Sequence, residues 1–228
     1  MTNCWTLRPL RAFGGRCSAF ARDKGAVAAI ELAIVMPFLL LMFLGAIELS
    51  RYFMISKRVS NAAANMAQLL ATSKGERTEG ELSFIIQARL LVPTLAEDTR
   101  YGISYEDQHP TALASIEFRP TVPGCADNCT YEAFVTDSFA HQGWVGRPCG
   151  KQQKISDESA PTYTGVPASL YGPGSVVVAD FNYDYRPLFG GRFINQISMH
   201  RAAFMAPRYL DTVKFQRQPD RQLPVRWC

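Results

Sequence analysis

The chain has 228 residues, room for one ordinary domain and a membrane segment and little more. Its 24 Lys and Arg against 20 Asp and Glu leave a surplus of only +4, spread along the chain, which excludes the concentrated basic surface that nucleic-acid binding requires. The apolar content is ordinary for a soluble protein, but much of it is gathered into one stretch near the N-terminus.

Residues 1–24, MTNCWTLRPLRAFGGRCSAFARDK, read as a short basic leader without structure of its own. The next segment, 25–50, reads as a transmembrane helix. From Ala26 to Ile47 Glu31 is the sole charge, and LAIVMPFLLLMFLGAI at 32–47 has none. On a helix Glu31 and Glu48 stand about 26 Å apart, so both carboxylates reach the faces of a hydrocarbon core that is roughly 30 Å thick. Pro37 removes one backbone donor and leaves the carbonyl of Ala33 without its helical partner, which predicts a bend. Before the span stand Arg8, Arg11, Arg16, Arg22 and Lys24, opposed by Asp23; after it stand Arg51, Lys57 and Arg58, with Glu48 alongside. The excess favours a cytoplasmic N-terminus and a C-terminal part on the far side. A secretory signal peptide is the competing reading. It fits less well, because the leader is long and no clean small-x-small site precedes Glu48 and Arg51.

The helix is expected to run on through 51–75. Ile55, Val59, Ala62 or Ala63, Met66 and Leu69 recur at steps of three or four, with Lys57, Arg58, Ser60, Asn61, Asn65 and Gln68 between them. Gly75 is a plausible stop. The remainder, 76–228, is expected to form an extracytoplasmic α+β domain. A second helix is predicted over Glu79–Leu91, with Leu82, Ile85, Ile86 and Leu90 on one side. Strands are predicted at Arg100–Glu106 and Leu113–Phe118, separated by a turn at His109-Pro110, and a short one at Tyr131–Val135 among the loops of 120–173. The strongest strand signal is VVVADFNYDY at 176–185, where Phe181, Tyr183 and Tyr185 alternate with Asn182 and Asp184. Pro187 ends it. Phe193–Pro207 suits a strand or a helix. The fold class is α+β: a long transmembrane and amphipathic helix, its second half packed on an antiparallel sheet.

Six cysteines divide by topology. Cys4 and Cys17 face a reducing cytoplasm, whereas Cys125, Cys129, Cys149 and Cys228 face an oxidising compartment and are disulfide candidates with three possible pairings. Zinc held by Cys125, Cys129, His141 and Cys149 is the alternative. Nothing resembling an enzyme's machinery is present: no GxSxG, HExxH, CxxC or phosphate-loop pattern. His109, His141 and His200 have no evident nucleophile beside them, and Glu97-Asp98 and Asp157-Glu158 lie in polar loop sequence. No enzyme, cofactor or metal site is expected. Trp144, Tyr183 and Tyr185 suit a core or a ligand surface.

The segment RDKGAVAAIELAIVMPFLLLMFLGAIELSRYF, residues 22–53, closely resembles the TadE/TadG-like family of tight-adherence (Flp-type) pilus assembly proteins, regarded as minor pseudopilins. The features that carry the resemblance are Arg22, Lys24, Gly25, the small residues up to Glu31, Ala33, Pro37, the leucine run and Gly45-Ala46-Ile47-Glu48. VVVADFNYDYRPLFG at 176–190 resembles the family's closing strand and the turn after it, and Met205 to Arg208 a common ending; between Thr94 and Ser175 the resemblance is general. It implies a pilin-like architecture and a single-pass protein of the bacterial inner membrane, cytoplasmic at its N-terminus and periplasmic beyond the span. It implies as partners the lipid bilayer, other pilus assembly or pseudopilin subunits, and a prepilin peptidase that recognises Arg22, Lys24, Gly25, Ala26 and Glu31. Glu31, Pro37 and Glu48 become candidates for helix assembly. In many relatives the carboxylate stands fifth after the cleaved glycine. Here Ala26–Ile30 intervene and Glu31 would be sixth, a shift of about 100° around the helix. The competing function is an anchored extracytoplasmic module that binds envelope material or another protein.

Overall fold

The computed structural model describes residues 24–87, 110–140, 146–189 and 195–216. The chain divides into two units, one ending at Ser50 and one beginning at Arg51. A single 48-residue helix, α1 (Lys24–Ala71), contributes to both and continues through Pro37.

Within the first unit α1 is apolar on every side. Its large side chains from Ile30 to Phe43 are exposed, Met42 by as much as 74%. A helix apolar all round suits lipid or partner helices and not water. It is long and apolar enough to cross a membrane, and none of its most apolar stretch is covered, unlike the core helix of a soluble protein.

The second unit begins where the helix becomes one-sided. Val59, Ala62, Ala63, Met66, Ala67, Leu70 and Ala71 are buried, whereas Ser60, Asn61 and Gln68 are exposed. Ala62, Ala63 and Ala67, in the middle of this stripe, let the helix backbone lie close to the sheet. The helix ends at Ala71, whose carbonyl accepts a hydrogen bond from the Arg208 backbone N–H at 2.9 Å. The second helix, α2 (Glu79–Gln87), opens with a capping box: the Thr78 backbone N–H donates to Glu81 Oε2 at 2.9 Å and the Glu81 N–H to Thr78 Oγ1 at 3.3 Å. These bonds, the backbone one foremost, hold the Glu81 carboxyl below its usual range. Leu82, Ile85 and Ile86 face inward.

Among the described residues seven strands follow: β1 (Thr111–Pro120), β2 (Tyr131–Ala140), β3 (Gly150–Lys151), β4 (Gln153–Ile155), β5 (Gly165–Pro167), β6 (Gly174–Tyr185) and β7 (Ile197–Met205). Five of them form an antiparallel sheet in the order β3-β2-β1-β6-β7, and β4 and β5 form a small parallel pair. One face of the sheet, with Leu113, Phe139, Val177, Ala179, Phe181, Tyr183, Tyr185 and Met199, packs on the buried stripe of α1 and on α2. Val213 and Phe215 close this core. Their segment is fixed by the Arg77 N–H donating to the Lys214 carbonyl and the Gln216 N–H to the Arg77 carbonyl. The opposite face, with Ala114, Ile116, Phe118, Ala133, Val135, Val176 and Val178, is covered by Val166, Leu170 and Tyr171.

The α+β arrangement of a long helix and an antiparallel sheet agrees with the sequence. Several details differ. β2 runs to Ala140 instead of Val135, because its pairing shifts register between Ser115 and Ile116 of β1 and leaves Thr136 as an extra residue. That bulge turns Val135 to one face and Phe139 to the other, which breaks the simple alternation. Residues 197–205 are a strand, which decides between the two readings of that region. Tyr183 and Tyr185 belong to the core and not to a ligand surface. The strand predicted at Arg100–Glu106, Leu90, His109 and Trp144 lie outside the described residues.

Candidate functional site

Of the residues the sequence singles out, Lys24, Gly25 and Ala26 lie in the first turn of α1, while Arg22 falls outside the described residues. Glu31 is exposed, Pro37 lies inside the helix and Glu48 is half-buried. From Glu31 to Glu48 the helix climbs about 26 Å. This single element therefore carries a carboxylate near each end of an apolar, uncovered cylinder. Helices in lipid gain little from hydrophobic burial, so close packing and polar groups near the faces decide what binds.

In the second unit the structure gathers a polar cluster that the sequence did not signal. Arg147, wholly buried, donates from Nε to Asp180 Oδ2 at 2.7 Å and from Nη2 to Asp180 Oδ1 at 3.0 Å. Its Nη1 donates to the Gly165 carbonyl at 2.9 Å, and its guanidinium lies 5.1 Å from the centre of the Phe204 ring. Asp180 Oδ1 also meets His200 Nε2 at 3.1 Å, while His200 Nδ1 meets the Pro161 carbonyl at 2.9 Å. Tyr163 stacks on His200 with ring centres 4.3 Å apart. Burial first, then the charge of Asp180, pushes the Tyr163 hydroxyl up to about 12, with Arg147 opposing. Both oxygens of the Asp180 carboxylate are thus engaged by protein. The cluster clamps the covering segment 146–167 to β6 and β7. One signal for it was available: an aspartate in the middle of VVVADF, a run apolar enough to be buried on both faces, requires a cationic partner.

Cys125 and Cys129 are joined by a disulfide across the β1–β2 connection. With their sulfurs spent on each other they offer no thiolate to zinc, and His141 lies outside the described residues. Cys149 is also disulfide-bonded. Among the described residues no group of three or more His, Cys, Asp or Glu side chains is placed to hold a metal ion.

No curated protein and no solved structure matches the chain. One family does, that described as TadE-like protein, over residues 26–68. The matched region begins two residues into α1, takes in the whole uncovered stretch and ends within the buried stripe. Residues 26–68, most of the α1 helix, are therefore a segment similar to the TadE-like family.

Proposed function

We propose that the protein is a minor pseudopilin-like subunit of a tight-adherence pilus or its secretion apparatus. It is anchored in the bacterial inner membrane with residues 1–24 in the cytoplasm and residues 76–228 in the periplasm. The observation that carries this reading is the coincidence of the TadE-like match with a helix that its own chain leaves uncovered. In this reading α1 is the assembly surface, and the sheet domain caps or decorates what that surface builds. Glu31 offers a neighbouring helix a charged acceptor at the cytoplasmic face, where a new amino terminus or a basic side chain would meet it. Cleavage after Gly25 by a prepilin peptidase would expose such an amino terminus within the first turn of α1.

The test replaces Glu31 in a deletion strain at matched membrane levels and measures surface pilin together with co-purified assembly components. Glu31→Leu should insert normally yet lose pilus production or partner recovery, with Glu31→Gln intermediate. Wild-type pili with Glu31→Leu remove this residue from the mechanism. N-terminal sequencing of the same samples decides processing, since cleavage gives a start at Ala26.

A further inference from the structure

β7 is the last strand of the five-stranded sheet, with β6 on one side and, among the described residues, no strand on the other. Which of its backbone groups face outward follows from β6. The Asn182 N–H donates to the Pro110 carbonyl at 2.9 Å, on the β1 side. Successive residues of a strand point their N–H and C=O to opposite sides, so Phe181 turns both toward β7, where Arg201 is its partner. The register runs without a shift from Val177 and Met205 to Tyr185 and Ile197, so Met199, Arg201 and Ala203 turn inward. Ser198, His200, Ala202 and Phe204 turn outward. Among the described residues none of their N–H groups has a partner. Of their carbonyls only that of His200 does, accepting from the neighbouring Arg201 Nη1 at 3.0 Å. At 3.4 Å per residue this open edge is about 20 Å long.

An edge of that length is a template for another strand, and proteins guard such edges with charge. The guard here is Arg201. It is half-buried, donates from Nη2 to Ser56 Oγ at 2.9 Å, and among the described residues meets no carboxylate. The β7 sequence ISMHRAAFM holds no acidic residue, so the same strand of a second copy brings Arg201 no counter-charge. The opposite edge of the sheet is no better donor. There β3 covers β2 at Phe134 and Val135, and the Gln152 N–H bonds the Ala133 carbonyl. A strand added outside β7 would face Arg201 in a non-hydrogen-bonded pair, the arrangement in which opposed side chains stand closest. A carboxylate at that position would draw the guanidinium away from the His200 carbonyl and complete the open edge.

We infer that β7 accepts an extended segment of a different polypeptide, added as a sixth strand with an Asp or Glu facing Arg201. The outward backbone groups of Ser198, His200, Ala202 and Phe204 supply the attachment, as in other cases of strand addition. Arg201 supplies the selection, since its guanidinium blocks one carbonyl against strands that lack a carboxylate. This site is separate from the exposed stretch of α1 and does not depend on it, because every residue involved belongs to the second unit.

The experiment uses the full-length protein in detergent and a fluorescent nine-residue peptide, the length of β7, alternating Thr and Val with Glu at its centre. Two variants of the peptide serve beside it: one with Lys in place of Glu, and one N-methylated at the alternate residues whose N–H groups would donate to the edge. Fluorescence anisotropy should show the Glu peptide bound and the Lys peptide about tenfold weaker, as a facing pair changes from attraction to repulsion. The N-methylated peptide should not bind. Arg201→Glu should reverse the order of the Glu and Lys peptides, and the Glu peptide should slow amide exchange at 197–205 alone. Equal affinity for the Glu and Lys peptides overturns the selection by Arg201. Undiminished binding of the N-methylated peptide overturns strand addition, as does no binding of the Glu peptide or slowed exchange elsewhere. Exchange at 197–205 that slows with protein concentration in the absence of peptide assigns the edge to a second copy and also overturns the inference. Should circular dichroism show Arg201→Glu misfolded, the three peptides on the wild-type protein decide the matter.

Discussion

Arg147 and Asp180 meet through two parallel hydrogen bonds, and neither side chain reaches solvent. A buried pair of this kind is strong evidence about mutation and weak evidence about stability. Removing one partner strands a charge out of water, at a cost of about 3–5 kcal/mol, whereas replacing both by apolar groups of similar volume is often close to neutral. Asp180→Ala alone should therefore unfold the second unit at much lower denaturant. Arg147→Met with Asp180→Leu should recover most of the loss, although the Gly165 carbonyl and His200 then lack their partner. Urea unfolding in detergent, followed by circular dichroism, measures both. A double variant as unstable as the single one would mean that the cluster does more than satisfy its own charges.

Tyr163 reports on the same cluster without breaking it. Its hydroxyl is raised to about 12, mainly by burial and next by the negative charge of Asp180, with the positive charge of Arg147 pulling the other way. An ultraviolet titration compared with Tyr163→Phe should show this tyrosine ionising last, near the alkaline limit of the fold. In Asp180→Asn the repelling charge is gone and Arg147 remains, so the same tyrosine should ionise at lower pH.

Asp137 gives a pH dependence of definite sign. Its carboxyl is raised above 3.8 by burial foremost, an effect that the Phe215 backbone N–H, Thr136 and Lys214 reduce and Glu76 reinforces. A carboxyl raised in the folded state favours folding in its protonated form. That contribution is complete below the unfolded value and is lost as pH rises through the folded one. Asp137→Asn keeps an oxygen for the Phe215 N–H and removes the charge. The variant should match the wild type in strong acid and exceed it in stability above the folded value. Equal stability at neutral pH would show that Lys214 already offsets the burial.

How much of this was legible in the sequence depended on whether a segment answers to one constraint or two. The span is an apolar run broken only by Glu31 and declares itself; Val59, Ala63 and Met66 then keep helical spacing because one face of α1 packs and the other stays wet, but the buried stripe continues at Leu70 and not at the expected Leu69, which is exposed. The end of β6 alternates for the matching reason, with Phe181, Tyr183 and Tyr185 against α1. Its stretch Val176–Ala179 is apolar throughout, since Val176 and Val178 pack on one face and Val177 and Ala179 on the other. β2 was hard to see beyond Val135 because the bulge at Thr136 reverses the faces midway. β7 was ambiguous because, at the edge of the sheet, only Met199 is fully buried. Arg147 stood in an ordinary-looking GRP sequence, and its partner lies 33 residues away, a distance over which no local pattern operates.

The cysteines join stability to topology in one experiment. Cys125–Cys129 is closed and Cys149 is bonded as well, so if the far side of the membrane holds only the four outer cysteines, Cys149 pairs with Cys228. Non-reducing peptide mapping should recover both linkages with Cys4 and Cys17 free. The two bonds also differ in the length of chain they close. In the chain-entropy picture a loop of about five residues contributes about 2 kcal/mol and one of about eighty about 4.5 kcal/mol. Cys149→Ser should accordingly lower the unfolding midpoint about twice as far as Cys125→Ser, and Cys228→Ser should match Cys149→Ser. A reporter active only outside the cytoplasm, fused after Leu210, should be active, and the same reporter fused before Lys24 silent. Recovery of Cys149 linked to Cys4 or Cys17, together with the reverse reporter pattern, would place the sheet domain and the leader on the wrong sides of the membrane and overturn the orientation on which the assembly role depends.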